Sequence, residues 1–154
     1  MKVWLSRLVV AVLAVMALGT VSARATETGI SLNDAVPVYR AMGIDLVQTT
    51  DNSGNTHWEG QSKSGLIYGA LNGDVRDLGR AVLLVGISQE TLPETSIHIL
   101  RFMQFAIPGL PQKEAEDTFR KAVSGGAASI SRNGRVLDVS TIKGMVTLAV
   151  TKAP

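Results

Sequence analysis

The chain contains no cysteine. This absence excludes thiol chemistry, Cys-ligated zinc, iron–sulfur clusters, disulfide bridges and a lipid anchor carried on a cysteine. Histidine is nearly as scarce. His57 and His98 are the only two, and neither has a second histidine nearby with which to share a local metal site. There is no G-x-S-x-G, no Gly-rich phosphate loop and no H-E-x-x-H, so the common serine-hydrolase, nucleotide and zinc-protease signatures are missing. No internal repeat and no low-complexity tract occurs. Long apolar runs are also lacking. Leu8 to Leu18 is apolar throughout, but a membrane-spanning helix needs about 20 such residues. The next run, Ala81 to Val85, suits a buried strand.

The first apolar run has flanks that give it a meaning. Lys2 and Arg7 precede it, Gly19 and Thr20 break it, and Ala23-Arg24-Ala25 follows in the small-x-small pattern of a signal-peptidase site. Residues 1–25 are therefore expected to be a cleaved signal peptide, and residues 26–154 a single exported domain. Removal of the leader changes the charge. Three of the 15 Lys and Arg lie in it and none of the 13 acids, so +2 becomes 12 against 13, or −1. The positive excess that would suggest nucleic acid or an anionic membrane leaves with the leader. The expected address is the periplasm, with release into the medium as the alternative. Without disulfides, such a domain must stand on its core alone.

Patterning along the rest of the chain predicts the elements. Ser31 and Asp34 form a capping box for a short helix that ends by Gly43, with Pro37 inside it. Ile44 to Thr50 reads as a strand, Asp51 to Asn55 as a loop of turn residues, and Thr56 to Gly60 as the returning strand. Gly65 to Leu71 is the next strand, with Asn72-Gly73 as a turn signal. A turn or helical stretch over 74–79 then leads into a buried strand over 81–88. Thr91-Leu92-Pro93-Glu94 has the form of a second capping box. Ile99, Phe102, Met103, Ala106 and Ile107 follow one helix face, although Ile97 and Ile99 around His98 also allow a strand over 97–107. Pro111 opens a further helix with an apolar stripe of Ala115, Phe119, Ala122 and Val123, stopped by Gly125-Gly126. Residues 127–151 read as a β-meander with turns at Asn133-Gly134 and Lys143-Gly144. Runs of strands around a helical pair indicate α+β. The expected architecture is an antiparallel sheet of about six strands with two central helices packed on one face.

Chemistry-bearing residues are few. His57, Trp58 and Glu59 cluster on one strand and could meet a ligand at a strand edge, or could be a solvent-facing strand with Trp58 covering the core. Asp51 to Thr56 alternates oxygen ligands as calcium loops do, but Thr56 and Ser62 stand where such loops need Gly and Glu. Lys63-Ser64-Gly65 and Ser140-Thr141-Ile142-Lys143 match short signatures of penicillin-recognising serine enzymes. Their order is reversed and Ser140 falls in a strand, so that reading fails. No metal or cofactor is expected. The preferred function is non-enzymatic binding of an envelope protein or of a small apolar ligand held between sheet and helices. Trp58, Tyr68, Phe102 and Phe105, with His57, are the candidate ligand-binding residues. The alternative is a small hydrolase using His57 with a nearby Ser or Glu; no catalytic set can be named.

Overall fold

The computed structural model describes residues 28–154. The expected export segment, residues 1–25, lies outside the described residues. The first helix, α1 (Leu32–Ala41), starts at the capping box read from the sequence. The Asp34 N–H donates to Ser31 Oγ and the Ser31 N–H donates back to Asp34 Oδ2, both at 3.2 Å. Four strands follow as a meander: β1 (Val47–Thr50), β2 (Thr56–Gln61), β3 (Ile67–Asp74) and β4 (Asp77–Gly86). Two helices, α2 (Leu92–Ala106) and α3 (Gln112–Gly125), lead to β5 (Ala127–Arg132), β6 (Arg135–Ile142) and β7 (Met145–Lys152).

All seven strands join one sheet in the order β1-β2-β3-β4-β7-β6-β5, and every pairing is antiparallel. Among the described residues the fold is α+β, with seven strands where about six were expected and with α1 joining the two central helices. The pairing of β4 with β7 closes the two meanders into one sheet. β4 therefore lies at the centre, which explains why Ala81 to Val85 is buried on both faces.

Residues 97–107 follow the expected helix as far as Ala106; the helical period of the large apolar residues wins over the short Ile97/Ile99 alternation. Three local expectations are corrected. Asn72-Gly73 is a bulge, not a turn. Gly73 has φ +121°, and a Cβ there would sit 2.3 Å from the Gly79 backbone nitrogen, so the strand continues and the turn moves to Val75-Arg76. The box expected at Thr91 and Glu94 is displaced by one turn. Thr91 makes no side-chain cap; instead the Ser88 N–H donates to Thr91 Oγ1 at 2.9 Å and the Thr91 N–H donates to Ser88 Oγ at 3.2 Å. Val123, assigned to the apolar stripe of α3, is 46% exposed.

The helices cover one face of the sheet. Tyr39 of α1, Ile99, Phe102 and Met103 of α2 and Ala115 and Ala122 of α3 pack with Leu71, Leu83, Leu137 and Leu148 in one cluster. The Phe102 ring stands edge-on to Tyr39 and to Phe105, with centroids 6.1 and 6.0 Å apart. Burial of each such ring contributes about 1.5–3 kcal/mol. Tyr39 passes over Gly69 to donate its hydroxyl to the Val82 carbonyl at 2.8 Å. A Cβ on Gly69 would meet that ring at 2.3 Å, so glycine is required there. Arg135 fastens the start of the described chain: Nε donates to Thr28 O at 2.7 Å, Nη2 to Gly29 O at 3.0 Å and Nη1 to Ala106 O at 3.1 Å.

Candidate functional site

The five candidate residues separate onto two faces of the sheet. Strand parity sends Trp58 to the helix side, where it and Phe102 are buried in one large cluster with Phe105 partly buried against it. Ile99, Met103, Leu83 and Leu148, all fully buried, belong to the same cluster. His57 and Tyr68 fall on the other face, which no helix covers among the described residues, together with Glu59.

Register defines that face. In one cross-strand row, Thr49 of β1 lies opposite His57 of β2, His57 opposite Asn72 of β3, Asn72 opposite Arg80 of β4, and Arg80 opposite Thr151 of β7. The adjacent row runs Val47, Glu59, Ala70, Val82, Ala149, Asp138. Tyr68 sits one diagonal step from Glu59, within reach of a long side chain. Its hydroxyl donates to Glu59 Oε2, and His57 Nε2 lies 4.0 Å from the same oxygen. Burial first, and the Glu59 carboxylate second, push the Tyr68 phenol well above its ordinary value. Burial lowers Arg80, against the opposing charge of Asp138.

Beside this polar array lies a second dry cluster made of strand residues alone. Ala70, Val82, Leu84 and Ala149 are buried, with Tyr68 and Met145 packed on them. At the flanks the same face carries exposed apolar side chains, Val47 on β1 and Ile142 on β6. Two polar atoms in the first row are buried with no hydrogen-bond partner among the described residues: Thr49 Oγ1 and Asn72 Oδ1. Each such orphan costs about 1–3 kcal/mol. They flank His57, whose side chain is only 15% exposed.

Sequence reading missed Thr49, Asn72 and Glu59's link to Tyr68. Parity alone placed Glu59 beside His57; the pairing of β2 with β3 brings the others in. The Asp51 loop turns its carboxylate on itself. Oδ1 accepts from the Ser53 and Asn55 N–H groups at 2.8 and 2.9 Å, and Oδ2 accepts from Asn55 Nδ2 at 3.0 Å. Those internal bonds account for the carboxyl lying below its usual range. Among the described residues no group of His, Asp and Glu is arranged to hold a metal ion, and no helix is long and apolar enough to cross a membrane. No protein-family model, curated protein or solved structure matches the chain.

Proposed function

We propose that this is an exported, non-enzymatic binding protein that holds a partner protein on the helix-free face of its sheet. The observation that carries the reading is the orphaned pair, Thr49 Oγ1 and Asn72 Oδ1, set on either side of His57 in one row. Buried polar atoms without partners are rare; both lie just under this face, so a partner's N–H groups complete them where docking displaces the side chains that cover them. Dimensions favour a protein over a small apolar ligand. Val47 and Ile142 lie on strands five steps apart, about 24 Å at the usual strand spacing. That span suits a polypeptide surface, with an apolar contact at each flank and hydrogen bonds between.

Photo-crosslinking in the native host tests the proposal. A photoreactive side chain placed at Val47 or Ile142 is expected to give one discrete adduct, absent when the probe stands at Val123 or Ile97 on the exposed sides of the helices. Equal adducts from both faces, or none from the sheet, overturn it. A hydrolase centred on His57 is the second reading, supported by the His57–Glu59 approach of 4.0 Å. It requires that His57→Ala abolish an activity without changing stability.

A further inference from the structure

A corner of the molecule away from the sheet face carries a site of different chemistry. α1 ends there, the β2–β3 connection turns there, and the first turns of α2 face it, enclosing a cleft of about 400 Å³. This volume is at the small end for small-molecule sites. The walls are tied to one another. Ile44 bridges to Ser62 across the sheet margin, and Arg101 Nη1 of α2 donates to the Ala41 carbonyl of α1 at 3.0 Å. Such ties hold the cleft open before anything binds.

The polar lining is of mixed sign. Arg40 and Asp45 answer each other, Nε to Oδ1 at 3.9 Å. Lys63 of the connection and Glu94 of α2 both line the cleft, and neither has an ion-pair partner among the described residues. His98 stands four residues after Glu94, on the same helix face. Its Nδ1 is buried and has no hydrogen-bond partner among the described residues. Burial first and Arg101 second hold the imidazole below its ordinary value, with Glu94 opposing. Ser64 adds a hydroxyl beside Lys63, 3.1 Å from that of Ser62.

A simple anion would meet Glu94, and a simple cation would meet Lys63. We propose that the cleft binds a small zwitterion of the amino-acid or dipeptide class, its carboxylate against Lys63 and Ser64 and its ammonium against Glu94, with the His98 ring as one wall. This site is independent of the partner surface on the sheet.

The test is an NMR titration of the ¹⁵N-labelled protein with L-alanyl-L-alanine, with acetate and methylamine as half-ligand controls. Saturable shifts confined to residues 40–45, 62–65 and 94–98, together with movement of the His98 ring signals, are expected. Lys63→Met and Glu94→Gln replace exposed side chains, so both variants should keep the native spectrum elsewhere. Each should weaken the dipeptide about tenfold, the loss of one modest polar contact. No saturable shift at millimolar dipeptide overturns the proposal. So does affinity unchanged in both variants, or acetate or methylamine binding as tightly as the dipeptide.

Discussion

The sheet has two faces built by the same alternation, yet they end in different states. On the helix side, residues such as Leu71, Leu83, Leu137 and Leu148 meet α1, α2 and α3 and form one continuous core. On the other side the dry cluster is limited to Ala70, Val82, Leu84 and Ala149, and a polar row with unpartnered atoms runs beside it. The two tyrosines of the chain show the contrast. Tyr39 is fully buried under the helices and satisfied by a backbone carbonyl, whereas Tyr68 is half-buried and satisfied by a carboxylate. The helix-covered face is dry but for one unpartnered buried hydroxyl among the described residues, Thr141 Oγ1 opposite Val146. The other has polar groups placed where nothing in the described chain uses them.

The largest expected break in this comparison comes from the helix side. Phe102→Ala should cost about 3–5 kcal/mol, read from the denaturant midpoint, because the cavity it leaves lies among fully buried neighbours. A loss below 1 kcal/mol would mean that the core beneath α2 can collapse around the gap. Gly69→Ala comes next. Its Cβ must displace the Tyr39 ring, and overpacking of this kind costs about 1–3 kcal/mol. Adding Tyr39→Leu should recover part of that loss, which a backbone effect at Gly69 alone would not allow.

Alkaline titration sharpens the contrast between the faces. Burial raises Tyr39 well above the ordinary phenol value, and burial with the Glu59 carboxylate raises Tyr68. A raised folded value means that the protonated phenol stabilises the native state. That contribution is complete below about pH 10, the unfolded value, and is lost as pH climbs from there toward the folded values. The unfolding midpoint should therefore fall between about pH 10 and 11, and each of Tyr39→Phe and Tyr68→Phe should remove half of that slope. In Glu59→Gln the Tyr68 phenol should ionise at lower pH, with Tyr39 unmoved. An unchanged Tyr68 titration would show that Glu59 does not act on it.

Much of the fold was legible in local patterns. Ser31 and Asp34 gave the start of α1, Pro111 and Gly126 the limits of α3, and Asn133-Gly134 and Lys143-Gly144 the last two hairpins. These signals work because each depends on neighbouring residues alone. Asn72-Gly73 misled because a glycine needed for positive φ serves a bulge as well as a turn, and the choice depends on what lies across the strand. The site was less legible. Alternation around Trp58 puts His57 and Glu59 on one face, but the opposition of His57 to Asn72 and the reach of Tyr68 to Glu59 follow from strand register, which no short window specifies. Phe102 and Phe105 read equally well as pocket lining or as core. In the structure both stand in one cluster with Ile99, Met103 and Leu83.

The central claim is that the polar row on the helix-free face serves a partner and not the fold. The most direct measurement is the denaturant midpoint of the Thr49→Val/Asn72→Leu protein. Replacing two unpartnered buried polar atoms with apolar groups of similar shape should leave stability unchanged or raise it by about 1 kcal/mol, while the crosslinked adduct from Val47 disappears. A loss of about 2 kcal/mol or more, with the adduct retained, would show that these atoms support the fold and would contradict the claim.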